Sequence, residues 1–140
     1  MFKLVGKWSQ QIWLAIAWTT LTQLLLSLPG KLFSGGGLFN IPHLDKIAHL
    51  VLFGGLVFCW SLFFYYRKRP PALSPALMWL IVLLTVTYGI ILEFFQKNFI
   101  PNRSFDEGDI VADLAGSLIG YLVTHWFITW SKRRELYKKN

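Results

Sequence analysis

The chain has 140 residues, 54% of them hydrophobic and 15% charged, with a net charge of +7 and a pI near 9.8. A soluble domain would carry about 25% charged residues, and here the charges are also clustered. Four charge-free windows, 8–30, 47–66, 70–92 and 114–131, each come close to the ~20 residues that a helix needs to cross a hydrocarbon core of about 30 Å. So little lies outside them that a soluble domain is excluded. The expected fold class is all-α: a single integral membrane bundle of four transmembrane helices, with the lipid bilayer as its first partner.

Positive charge on this scale can serve nucleic acid, but its distribution argues against that partner. Lys3, Lys7, Arg67, Lys68, Arg69, Lys132, Arg133, Arg134, Lys138 and Lys139 fall at the N-terminus, in the second connection or in the tail. Lys31, Lys46, Lys97 and Arg103 fall in the first and third connections. The positive-inside rule then predicts an N-in, C-in topology in a bacterial cytoplasmic (inner) membrane. The basic tail 132–140 reads as an anchor to anionic lipid. Six of the seven acidic residues lie on the opposite, extracytoplasmic side, Glu135 being the exception. Cys59 stands alone, which leaves no partner for a disulfide or a thiolate metal site and suits a small apolar core residue.

In chain order, the first predicted helix covers 8–28. Lys3 and Lys7 before an apolar run resemble a signal peptide. The run 12–28 is longer than an h-region of about 7–15 residues and no Ala-x-Ala site follows, so a retained helix is expected. Pro29 and Gly30 end it. Gly35, Gly36 and Gly37 read as a flexible loop, because no strand or helix start makes them a phosphate loop.

The second predicted helix, 45–66, opens with Asp45, Lys46 and His49. The i, i+4 spacing puts Asp45 and His49 on one face. Gly54 and Gly55 permit close helix contact or a bend. Trp60, Tyr65 and Tyr66 belong with Trp8, Trp126 and Trp130 in an aromatic belt at one interface. Pro75 suits the first turn of the third helix, 76–99, which carries Glu93 and Gln96 one turn apart. After a loop holding Arg103, the fourth helix, 109–131, presents Asp109, Asp113, Gly116 and Gly120 as one stripe. Gly116 and Gly120 form a small-xxx-small pair, a common pattern from which no oligomer is inferred.

Each polar residue has a bland reading beside a sharp one. Asp45 and Asp109 sit where Asp caps helices, Lys46 where an interfacial Lys snorkels, and Glu93 four residues before Lys97, as in an exposed pair. His125 reads as structural. Against these, Leu92, Phe94 and Phe95 suggest that Glu93 is buried, and Asp113 lies beyond capping reach. A buried charge needs a partner, so Glu93, Arg103 and Asp113 are expected to share an inward-facing network, with His49 on the face of Asp45.

Glu93-x-x-Gln96, Pro101-x-Arg103, Asp109 and Asp113-x-x-Gly116 with Gly120 together resemble the signature of the VanZ-like family. Asp45-Lys46-x-x-His49 resembles that family's other motif. The resemblance covers the chain from Asp45 to the end of the fourth helix. It implies a small bacterial multi-helix membrane protein; the family's namesake is associated with low-level resistance to teicoplanin. This chain departs from the pattern at Leu92, where a carboxylate is usual, and at Asp113, where an Asn is usual.

Two functions follow as expectations. One is a cell-envelope protein whose outward cluster (Asp45, Lys46, His49, Glu93, Gln96, Arg103, Asp109, Asp113) binds a lipid-linked or lipid-anchored envelope ligand. The other is an intramembrane enzyme acting on a lipid phosphate or ester. There His49 would be the general base, oriented by Asp45, with Arg103 or Lys46 on an anionic group. No organic cofactor is expected; a divalent metal, if used, would sit on His49, Glu93, Asp109 and Asp113. Transport ranks last, since no inverted repeat is present and charge stops short of the midplane.

Overall fold

The computed structural model describes residues 8–29, 43–67, 72–101 and 103–137, which form four helices and no strand. They are α1 (Trp8–Leu26), α2 (Leu44–Arg67), α3 (Pro75–Phe99) and α4 (Glu107–Tyr137). The glycine run 35–37, the second connection 68–71 and the cations Lys3, Lys7, Lys31, Lys138 and Lys139 lie outside the described residues. Helix α4 continues through most of the segment expected as a basic tail.

Three helices, α2, α3 and α4, are long and apolar enough to cross a membrane. The apolar part of α1, Gln11–Leu26, rises only about 24 Å. The surface these helices present suits lipid. Leu83, Leu84, Val111 and Leu122 are 60–64% exposed, and a contiguous apolar exterior of this kind is what water rejects and hydrocarbon accepts. Several threonine hydroxyls are satisfied within their own helices: Thr22 donates to the Trp18 carbonyl, Thr87 to that of Leu83 and Thr124 to that of Gly120, as polar side chains do where no water competes.

Helix α2 packs on all three others, and its closest partner is α4. Three glycines explain why. A Cβ on Gly116 would collide with the backbone of Leu50, one on Gly120 with the carbonyl of Gly54, and one on Gly54 would meet the Gly116 carbonyl oxygen at 3.0 Å. The two backbones therefore touch, in rising register, so α2 and α4 run parallel. The Gly116–Gly120 stripe is thus taken up within the chain. On its other side α2 receives α1, where the Trp18 indole lies on Gly55 and donates to the Leu52 carbonyl at 2.9 Å. Leu26, Leu52, Phe53, Leu56 and Leu92 make the upper core; Val57, Ile81 and Val82 make the lower one.

Helix α3 starts at Pro75 behind the cap Ser74, whose hydroxyl accepts from Leu77 N. At its far end, Gln96 Nε2 donates to the Leu26 carbonyl at 2.7 Å, closing one of the carbonyls that a helix terminus leaves open. The C-terminal ends of α1 and α3 and the N-terminal ends of α2 and α4 therefore meet at one end of the bundle. The polar residues gather there.

Candidate functional site

Parallel contact between α2 and α4 sets the first turns of both helices side by side. His49 is only 1% exposed and Asp113 likewise. The His49 Nδ1 lies 2.8 Å from Asp113 Oδ1. A carboxylate only accepts, so Nδ1 carries the hydrogen, and in the neutral ring Nε2 presents its lone pair. That nitrogen has no hydrogen-bond partner and faces Asp109 Oδ2 at 3.8 Å, beyond hydrogen-bond range. Phe53 stacks on the His49 ring, the two planes 4° apart, and fixes its tilt. On α3, Gly89 leaves the space that Asp113 Oδ2 and Phe53 occupy.

One turn nearer the helix ends, Lys46 Nζ bridges Asp106 Oδ2 at 2.5 Å and Asp109 Oδ1 at 3.0 Å. Arg103, in the loop before α4, donates from Nη1 to both Asp45 oxygens at 3.1 and 3.3 Å. Glu93 reaches from α3 and accepts from the Asp106 backbone N–H at 3.1 Å. Residues 103–106 are thereby clasped to α2 by two ion pairs and to α3 by one hydrogen bond. Charge-assisted contacts of this kind are stronger than neutral ones.

The eight predicted residues gather at the polar end, but several pairings differ from expectation. Asp45 does not hold His49; it pairs with Arg103, and Asp113 from the facing helix orients the ring. Glu93, Arg103 and Asp113 enter the polar centre through different partners: Arg103 holds Asp45, Glu93 accepts the Asp106 amide and Asp113 holds His49. Lys97 is exposed while Glu93 is buried, so no surface pair forms between them. Gln96 is buried but serves the end of α1. The capping role considered for Asp109 belongs to Asp106, whose Oδ1 accepts from Gly108 N at 2.7 Å. Among the described residues, the group able to close on one ion is Asp45, His49 and Asp109, in place of the expected His49, Glu93, Asp109 and Asp113.

Asp106 and Phe53 are the residues that sequence reasoning misses. The signal for Asp106 is the Asp-x-Gly spacing ahead of an amphipathic stripe, a helix start; for Phe53 it is the i+4 position from His49. Leu92, the first departure from the resemblance, is 3% exposed and packs in the apolar core. The second, Asp113, accepts the His49 Nδ1–H hydrogen bond through Oδ1.

Asp106 lies between the helices, and its carboxyl is held below the usual range, chiefly by the Lys46 ammonium and then by the Gly108 amide. Its contribution is present above the unfolded Asp value of about 3.9 and is lost as pH falls through the lower folded value. Acidification well below about pH 4, through that lowered value, should therefore release the Asp106 cap. Faster amide exchange at Gly108 and Asp109 than at mid-helix α4 is the expected observation.

Together these features define an all-helical protein with a lipid-compatible exterior and one buried polar centre. A family model for VanZ/LLP1 matches residues 1–128, and the chain belongs to that family. No curated protein and no solved structure gives a significant match.

Proposed function

We propose that the chain is a bacterial cytoplasmic-membrane protein whose polar end faces outward and receives the head of a lipid-linked envelope molecule. The observation that carries this reading is the gathering of Asp45, Lys46, His49, Arg103, Asp109 and Asp113 at one end of an otherwise apolar bundle. Buried ionisable groups beside a bilayer are costly, and they are kept where a polar ligand or proton is handled. In this reading α1 also spans, locally thinning the bilayer or drawing on flanking residues to make up its length, which gives four spans with both termini inside. The sidedness is supported by the opposite end of the bundle, where Arg67, Lys132, Arg133 and Arg134 gather and Arg134 lies 3.9 Å over the Trp130 ring. Basic and aromatic side chains together mark a cytoplasmic interface.

An apolar chain has a place as well. A cavity of about 300 Å³ opens between α1, α2 and α3, lined by Leu56, Trp60, Phe64, Ile81, Leu84 and Tyr88. Tyr88 stacks on Phe53, and Phe53 on His49, so the cavity lies along one aromatic ladder from the polar centre. A lipid-linked ligand lying along the bundle would set its head at the centre and part of its tail here.

The family association with teicoplanin supplies a cellular readout. Asp45→Ala, His49→Ala and Arg103→Ala should each lower teicoplanin tolerance and the envelope lipid retained by the purified protein in native mass spectrometry. Full tolerance and full retention in all three stably expressed variants would exclude the cluster as the working part. A second reading, hydrolysis or transfer at a lipid phosphate or ester, is favoured by the Asp113–His49 pair, whose free Nε2 has the geometry of a general base. Turnover of a labelled lipid phosphate by the wild-type protein, abolished in His49→Ala, separates it from binding alone.

A further inference from the structure

The polar centre is unevenly matched in charge. Among the described residues, Asp45, Glu93, Asp106, Asp109 and Asp113 face Lys46, Arg103 and the His49 ring, and Glu93, Asp109 and Asp113 are 1–2% exposed. Buried negative charge of this kind calls for a further cation. A second observation shows where it fits. His49 Nε2 is buried, has no hydrogen-bond partner, and points at the Asp109 oxygen that Lys46 leaves free, since Lys46 holds Oδ1 and the ring faces Oδ2. Asp45 offers an oxygen to the same point, so that one donor atom from each of Asp45, His49 and Asp109 lies within 4.8 Å of the others.

We propose that Asp45, His49 and Asp109 bind a divalent transition-metal cation, with zinc as the best fit. Zinc takes imidazole nitrogen and carboxylate oxygen at about 2.0–2.2 Å, which puts neighbouring donors roughly 3.3 Å apart. The present spacing needs a contraction of no more than about 1.5 Å, within the reach of side-chain torsions. Asp113 stands behind the ring and fixes Nδ1–H, the outer-sphere carboxylate that orients a metal-binding imidazole and raises its basicity. Phe53 keeps the ring in plane. Glu93 stays outside the set, because the donors that come within 4.8 Å of one another belong to Asp45, His49 and Asp109.

Three protein ligands would leave a fourth position open, and Lys46 and Arg103 already hold the Asp109 and Asp45 carboxylates beside the site. This clause alone rests on the lipid-head reading: a phosphate on the open position would meet both cations. His49 then acts as a ligand and is not available as a base.

The test uses untagged, chelator-stripped protein in detergent, titrated with Zn²⁺ alone and checked by elemental analysis. One Zn²⁺ per chain is expected, with affinity lowered about tenfold or more in Asp109→Asn and in His49→Gln and unchanged in His125→Ala. Asp109→Asn keeps the side-chain shape, so it should preserve the helical circular dichroism even if a His49 variant does not fold. Absence of saturable uptake by the wild type, or full affinity in a folded Asp109→Asn, overturns the proposal. Lipid retention without zinc uptake would discard the metal and keep the lipid-head reading; zinc uptake without lipid retention would do the reverse.

Discussion

Gly116→Val is expected to separate α2 from α4 and to unfold the polar end of the bundle. A Cβ at this position falls on the carbonyl oxygen, carbonyl carbon and Cα of Leu50. A flexible side chain could swing aside, but main chain cannot. Overpacking typically costs about 1–3 kcal/mol where neighbours can yield, so ~3 kcal/mol or more is expected here. Gly120→Val should behave alike, because its Cβ meets the Gly54 backbone. Leu118→Phe, which adds volume at a partly lipid-facing position, serves as the comparison and should cost less than ~1 kcal/mol. Detergent-unfolding midpoints measure all three. Equal stability of Gly116→Val and Leu118→Phe would mean that the two backbones do not touch.

At Asp113 two substitutions should part company. Asp113→Ala removes the acceptor of His49 Nδ1–H and strands a buried donor, at about 1–3 kcal/mol, or ~3–5 kcal/mol where the ring is charged. Asp113→Asn keeps an acceptor of the same shape and removes a buried charge, so its cost should stay below ~1 kcal/mol. Asn is also what the family pattern usually carries at this position. Ligand retention should follow the same order, because Asp113→Ala frees the ring while Asp113→Asn holds it. Equal losses in the two variants would show that the charge, and not the orientation of His49, is what matters.

Much of the architecture is legible in the sequence. Charge-free windows overlie α1 to α4, since a bilayer-sized apolar run has few other uses, and Pro75 marks a helix start for a local reason. The Asp109–Asp113–Gly116–Gly120 stripe is visible as a single face. What faces it is not. Nothing in the periodicity says that α4 packs closest to α2, although four alternating spans already make the two helices parallel. That packing depends on Gly54, Gly116 and Leu50 admitting backbone contact, and glycines in a membrane helix are common enough to serve many partners.

The candidate site divides in the same way. Its members are legible because ionisable groups in a greasy chain stand out. Their pairing is not, because Lys46 and Arg103 each have several acids within reach of a flexible side chain. The path of residues 103–106 decides: it aims Arg103 at Asp45 and turns the Asp106 amide to Glu93. Asp106 escapes a residue-by-residue reading because it looks like a loop Asp, while in the fold it caps α4 and anchors Lys46.

Helices α2 and α4 share one buried polar network centred on His49. A double-mutant cycle across His49→Ala and Asp113→Ala, read as unfolding free energy in detergent, tests it most directly. Residues in direct contact couple by about 0.5–3 kcal/mol, whereas independent sites add within ~0.5 kcal/mol. The buried 2.8 Å contact between the two side chains predicts a coupling of at least ~1.5 kcal/mol. Additive losses would contradict it.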